Sequence, residues 1–294
     1  MELIWKDITF EDKETFESFY QYKTDRGCEL SFSNNYLWVA HYGTKWNIVE
    51  ECLVFYSPHR DSVSMPIGKD PYKALETLLA YDEAQDKPFM MHLVTEGQFA
   101  ELDKRYPGKF MIEYVRDVAD YIYEAESLGT LAGKKLHAKR NHINRFVEKY
   151  PEWTYEEITG DNLDDCLKMA QKWREQNKCD EDKEKSEEFC VTLRALKERD
   201  QIGLTGGAIR TRDGIVAFSL GAPLTEDTYV VHIEKAFADI QGAYPIINRE
   251  FVLHAAKGYK YINREEDLGE EGLRKAKLSY NPVILLEKGN VRLV

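Results

Sequence analysis

Three passages of this 294-residue chain gather side chains that do chemistry. In the first, Lys134, Lys135, Lys139, Arg140, Arg145 and Lys149 are faced by a single acid, Glu148, with His137 and His142 interleaved. Basic groups collected at a helix start can grip phosphate or carboxylate oxygens, and arginine can do so with two parallel bonds. In the second, His232 and Glu234 lie two apart on one strand, and strand alternation would turn both to one face as a base or an orienting pair. That strand runs into Asp239-Ile240-Gln241-Gly242-Ala243-Tyr244, a strand-to-helix passage. There Gly242 and Ala243 could leave backbone N–H groups pointing at an anion. The third passage runs from Asn263-Arg264-Glu265-Glu266-Asp267 through Arg274, Lys277 and Tyr280. It directly follows a core strand, where open α/β sheets place ligands.

The elements that must position these groups follow from periodicity. Leu53–Tyr56, Phe89–Val94 and Asp120–Tyr123 predict strands. Pro71–Tyr81 and Gln98–Tyr106 predict helices. The basic stretch 133–150 predicts a helix stopped by Pro151. Trp153–Ile158 predicts a strand, and Asn162–Gln176 a helix with Leu163, Leu167, Ala170 and Trp173 inward. The charged run 178–188 predicts a solvated loop or helix start, followed by a helix over Phe189–Glu198. Three strands, Gly203–Thr211, Ile215–Pro223 and Thr228–Glu234, are separated by Asp213-Gly214 and Glu226-Asp227. A helix over Ala243–Lys257 and a strand over Tyr259–Asn263 complete the order. The class is α+β, with mixed sheets and helices packed on them.

Composition narrows the function. Hydrophobic residues make up 43% and charged residues 31%, a globular balance. The formal net charge of −12 repels nucleic acid except where basic residues concentrate, as they do at 134–149. Five cysteines (Cys28, Cys52, Cys166, Cys179 and Cys190) form no C-x-x-C pair, so free thiols are expected and no metal site. No signal peptide, lipidation signal or membrane-length apolar run is visible, so a cytoplasmic protein without integral membrane association is expected. The patterns G-x-S-x-G, H-E-x-x-H, P-loop and G-x-G-x-x-G are absent, which demotes zinc hydrolysis, nucleotide phosphoryl transfer and dinucleotide redox chemistry.

The residues Gly133-Lys134-Lys135, the run from Lys139 to Phe146, Asn263-Arg264-Glu265, Asp267-Leu268-Gly269 and Gly272-Leu273-Arg274-Lys275-Ala276-Lys277 together resemble a known family. It is that of the C-terminal domain of phosphatidylglycerol lysyltransferases, in particular soluble bacterial proteins made of that domain alone. Phe32-Ser33-Asn34-Asn35-Tyr36-Leu37-Trp38 resembles a motif of their first half. The resemblance covers nearly the whole chain. It implies two tandem GNAT-like (acyl-CoA N-acyltransferase-like) domains, taken as 1–126 and 127–294, with the active site in the second. It implies aminoacyl transfer from aminoacyl-tRNA to an amine or hydroxyl, on a small molecule, a peptide or a lipid headgroup.

On that reading Lys135, Lys139 and Arg140 hold phosphate. Arg264, Arg274 and Lys277 surround the substrate ester or its phosphate, Asn263 and Tyr280 also bind substrate, and Glu234, His232 or Asp267 is the base. No cofactor is then required. Coenzyme A-dependent acetylation, with acetyl-CoA or another acyl-CoA as donor, is the alternative. The passage 239–244 departs from a coenzyme A cradle, because it begins with an acid and ends in a tyrosine. A non-catalytic protein that binds an anionic ligand is the third reading.

Overall fold

The computed structural model describes residues 3–294. The chain forms two mixed α/β units, each a mixed sheet with helices, as the α+β class leads one to expect. Where a single cut between 126 and 127 was expected, the units interleave. The first takes the chain up to Asp120, then Glu266–Glu271 and Leu285–Val294; the second takes Tyr121–Glu265 and Gly272–Ile284. The physical reason is strand pairing. The last strand, Lys288–Leu293, is antiparallel to both Met90–Thr95 and Phe110–Tyr114, so the end of the chain completes the first unit's sheet.

The first sheet runs in the order Lys6–Asp7, Lys45–Val49, Cys52–Ser57, Ser62–Val63, Met90–Thr95, Lys288–Leu293, Phe110–Tyr114, with Ile67–Gly68 also on Cys52–Ser57. Val54, Leu75, Leu78, Met91, Leu102 and Val291 are among its core residues. The helix Phe32–Tyr42 starts at Ser31, whose hydroxyl accepts from the Asn34 N–H, and Pro71 opens the helix Pro71–Glu83 behind the Asp70 cap.

In the second unit the sheet order is Ile284–Leu286, Asp120–Glu124, Tyr261–Asn263, Thr228–Ala236, Gly214–Pro223, Thr205–Thr211, Thr154–Glu157. Thr228–Ala236 is parallel to Tyr261–Asn263, and the pairs from Thr228–Ala236 to Thr154–Glu157 are antiparallel. Helices His137–Lys149, Leu163–Gln176, Lys183–Ile202 and Ala243–His254 belong to this unit. The charged run proves to contain a helix start: Asp182 caps Lys183–Ile202, which Gly203 closes at φ +78°. The inward face of Leu163–Gln176 is Cys166, Met169, Ala170 and Trp173, so Leu163 and Leu167 sit at its edge rather than its centre. The basic helix begins only at His137, which leaves Lys134 and Lys135 in the turn before it, and it buries Ile143 and Phe146. All five cysteines are free thiols, four of them buried. Among the described residues no helix is long and apolar enough to cross a membrane.

His92, on the strand Met90–Thr95, is buried with its Nδ1 2.9 Å from the Ser62 hydroxyl. Burial, and then the nearby charge of Arg60, push its pKa down from 6.5 to about 4. The neutral ring therefore contributes stability that is complete above pH 6.5 and is lost as pH falls toward 4, about 3 kcal/mol in all. Denaturant midpoints between pH 7 and pH 4 should show an acid loss of that size, reduced in His92→Asn. An equal acid loss in the variant would contradict it.

Candidate functional site

The site in the second unit begins with a break in strand pairing. Thr228–Ala236 pairs with Gly214–Pro223 through Leu220↔Ile233 and then Gly221↔Val231, which leaves His232 as the extra residue of a β-bulge. Gly221 is required there, since a Cβ would lie 2.3 Å from the Val230 carbonyl oxygen. The bulge interrupts the simple alternation expected for His232 and Glu234, and each finds its own partner.

Those partners come from one turn. The Asn263 side-chain oxygen accepts from the Glu265 N–H at 2.7 Å, and Glu265 adopts a left-handed backbone at φ +56°. From that turn Glu265 Oε1 reaches His232 Nδ1 at 2.7 Å, and Arg264 Nη2 donates to Glu234 Oε1 at 2.7 Å. Asn248, on the helix Ala243–His254, donates to Glu234 Oε2 at 3.1 Å. Two adjacent residues thus build two adjacent dyads.

Aromatic rings and further cations enclose Arg264. Its guanidinium lies 4.9 Å from the Tyr280 ring centre and 5.6 Å from that of Tyr123, and Lys139 Nζ lies 4.0 Å from the Tyr280 ring. Burial works against the Arg264 charge, but Glu234 outweighs it and holds the guanidinium more firmly protonated than usual. Burial, followed by the repulsion of Arg264, lowers the Lys139 pKa. Burial pushes the Tyr280 and Tyr123 hydroxyls up. Lys277 Nζ donates to the Arg264 carbonyl at 2.6 Å, and the Lys277 carbonyl accepts from Tyr123 at 2.8 Å.

Three buried atoms around Glu234 have no hydrogen-bond partner: Arg264 Nη1, Asn248 Oδ1 and Ser219 Oγ. Ser219 stands directly across from Glu234 in the strand register, so the two side chains share a face. Leaving such groups unpaired costs about 1–3 kcal/mol each. Beside the carboxylate they offer one cationic donor and two oxygens that accept. That combination can hold a carbonyl oxygen on the arginine and an ammonium on the oxygens.

The other expected residues fall as follows. Arg140 Nη1 donates to the carbonyls of Leu131 and, at 2.8 Å, Gly133, and so ties the turn ahead of the basic helix. Lys134, Lys135, Arg145 and Lys149 are exposed, Arg274 is half-buried, and Lys277 and Asn263 are buried. Gly242 adopts φ +89°, and a Cβ there would lie 2.3 Å from the His142 carbonyl oxygen, so this glycine serves close packing on the basic helix. The Ala243 N–H already donates to the Ile240 carbonyl at 3.1 Å, and Pro245 has none to give, which thins the expected anion cradle. Asp267 belongs to the first unit, where it is buried, pairs with Arg116 at 3.2 Å and accepts from the Gly269 N–H at 3.0 Å. Glu265, Asn248 and Ser219 were not singled out by sequence reasoning. Glu265 lay inside the flagged passage; Asn248 and Ser219 carried no signal.

In the first unit, ligand atoms of Cys28, Asp120 and Glu266 lie within 4.8 Å of one another, a spacing open to a metal ion. A lysine ammonium already serves that place. Lys288 Nζ, fully buried, lies 2.8 Å from Asp120 Oδ1 and 3.8 Å from Cys28 Sγ, and it also pairs with Glu29. Burial opposes the Lys288 charge, but the acids Asp120 and Glu29 outweigh it, and burial holds the Cys28 thiol protonated.

Comparison with known proteins places this architecture. The family model described as the C-terminal domain of phosphatidylglycerol lysyltransferase matches residues 20–288. A crystal structure of a conserved protein of unknown function from Bacteroides thetaiotaomicron is 40% identical, covers 100% of both chains and superposes with a TM-score of 0.92. The structure of L-PGS from Bacillus licheniformis shares the fold at 15% identity, covers 99% of this chain and 94% of that one, and has a TM-score of 0.64. An uncharacterised protein of Mycoplasmoides gallisepticum is 24% identical over 193 residues, 64% of this chain; the match spans 60% of that curated relative's length.

The Glu234–Arg264 pair gives a direct test of the site's electrostatics. Glu234→Ala leaves the Arg264 guanidinium buried without its carboxylate and should lower unfolding free energy by about 3–5 kcal/mol. Glu234→Ala/Arg264→Ala should recover part of that loss, measured by urea unfolding as a double-mutant cycle. Simple additivity of the two single losses would contradict the pairing.

Proposed function

The chain belongs to the family of phosphatidylglycerol lysyltransferase C-terminal domains, and from that premise we propose that it is an acyltransferase that moves an aminoacyl group from aminoacyl-tRNA to an amine or hydroxyl acceptor. The observation that carries this reading is the set of unpartnered buried atoms around Glu234. An aminoacyl ester has a carbonyl oxygen to receive Arg264 Nη1 and an α-ammonium to donate to Asn248 Oδ1, Ser219 Oγ and the Glu234 carboxylate. An acetyl group has no ammonium, so the same atoms favour an aminoacyl donor over acetyl-CoA. The thinned cradle at Gly242 and Ala243 weighs in the same direction.

The ester is already activated, so the site must position the acceptor, take its proton and stabilise an oxyanion. Glu265 orients the His232 ring through Nδ1, and His232 serves as the base. Glu234, already accepting from Arg264 and Asn248, holds those two side chains in place. The acceptor nitrogen or oxygen bonds to the ester carbon and its proton passes to His232. The carbon–oxygen bond to the tRNA ribose then breaks, and the ribose oxygen takes that proton. Arg264 Nη1 bears the negative charge on the carbonyl oxygen in between. The exposed Lys134, Lys135, Arg145 and Lys149 supply phosphate contacts on an otherwise acidic chain. A cytoplasmic location, and a small-molecule, peptide or lipid-headgroup acceptor, belong to the same reading.

Transfer of labelled amino acid from charged tRNA to a panel of amines and alcohols tests it. Arg264→Lys should lower the transfer rate by about 10²–10³-fold with the fold intact, the effect of losing one oxyanion donor. Lys134→Ala/Lys135→Ala should weaken tRNA binding and flatten its salt dependence. Tight acetyl-CoA binding with no tRNA binding would overturn the proposal.

A further inference from the structure

The first unit holds a partly open pocket of about 190 Å³ that the acyl-transfer reading does not use. A void of roughly 150 Å³ already takes up benzene in a protein core, so this one has room for a ligand of amino-acid size. Most of its wall is apolar, with Trp38, Phe55, Met65 and Ile67 contributing. Trp38 comes from the helix Phe32–Tyr42, part of the Phe32–Trp38 motif. The Asn35 amide of that helix donates to the carbonyls of Glu29 at 2.6 Å and Ser31 at 2.9 Å, which fixes the turn Gly27–Leu30 along the cavity wall.

Opposite charges line this one space. Glu29 is at the wall, its carboxylate paired with the buried Lys288 and its pKa raised by burial. Arg60 is also at the wall, and among the described residues it forms no ion pair, with Glu29 or with any other acid. Lys288 is shared between Glu29 and Asp120, so that cluster holds more acids than cations and, with Arg60, gives the cavity poles of opposite sign. The backbone adds an independent sign. Leu93, another wall residue, holds φ +54° inside a strand, where Lys288–Leu293 skips register between Gly289↔Val94 and Val291↔Met91. A leucine in that conformation costs about 1–3 kcal/mol, and such strain persists where the fold enforces a ligand clamp.

We propose that this cavity binds a small dipolar amine, with a primary ammonium, a short apolar stem and an anionic group. Free α-amino acids and aminoalkyl phosphates share that chemistry. The ammonium lies against Glu29, the stem on Trp38 and Phe55, and the anion against Arg60. The site is in the first unit and stands whether or not the second unit transfers aminoacyl groups.

Isothermal titration of the full chain tests it, with L-leucine, L-phenylalanine and phosphoethanolamine as probes and hydrocinnamate and phenethylamine as single-pole controls. At least one dipolar probe should bind, at least tenfold more tightly than either control. Tighter binding of the amino acids assigns the free amino acid as the source; tighter binding of phosphoethanolamine assigns the aminoalkyl phosphate. Arg60→Met, at an exposed position, and Glu29→Gln should each weaken binding at least tenfold. If Glu29→Gln unfolds, Trp38→Ala replaces it as the second variant with the same expected loss. The absence of binding by all three probes, or binding that Arg60→Met leaves unchanged, overturns the proposal.

Discussion

Arg264 carries a charge that the second unit takes out of water, and a buried cation is tolerated only where a carboxylate and further bonds meet it at close range. Much of that unit's local geometry answers this requirement. Glu234 meets the guanidinium at 2.7 Å from the bulged strand, and Asn248 steadies the same carboxylate from the helix behind it. Tyr280 and Tyr123 turn ring faces toward the cation, and Lys277 fixes the Arg264 carbonyl. Asn263 pins the turn that aims Arg264 at one strand residue and Glu265 at another. Yet the arrangement stops short of full satisfaction, because Arg264 Nη1, Asn248 Oδ1 and Ser219 Oγ stay unpaired. A network assembled for stability alone would close those bonds; one assembled to receive a polar group leaves them open.

The first unit meets the same constraint differently. Lys288 is buried completely, and its ammonium is held by Asp120 and Glu29 beside the Cys28 thiol. The cation that a metal would otherwise supply is covalently part of the chain. It arrives on the strand Lys288–Leu293, whose pairing with Met90–Thr95 and Phe110–Tyr114 completes the first unit's sheet.

Much of the fold is legible in the sequence because hydrophobic period follows burial. The helix Pro71–Glu83, the strand Cys52–Ser57 and the three-strand run from Thr205 to Ala236 were all readable from spacing and turn residues. The site was legible only in part. Arg264 and Glu234 could be named because charge near a core strand is unusual, but their pairing needs the bulge at His232, which the alternation rule does not foresee. Asp267 follows Arg264 closely in sequence and yet serves the first unit, because the chain changes units after Glu265. Arg140 looked like a phosphate grip and instead ties backbone carbonyls, since a long side chain at a helix start reaches the preceding turn as easily as a ligand. Ser219, Asn248 and Lys288 gave no signal. Their significance lies in long-range neighbours, which composition and spacing do not encode.

The central claim is that the atoms around Glu234 receive an aminoacyl group. A crystal structure of the protein with a 3′-aminoacylamino adenosine, in which a stable amide replaces the tRNA-terminal ester, tests it most directly. The account predicts the ligand carbonyl oxygen on Arg264 Nη1 and the α-ammonium within hydrogen-bond reach of Asn248 Oδ1, Ser219 Oγ and Glu234. A ligand bound elsewhere, with those atoms still unpartnered, would contradict it.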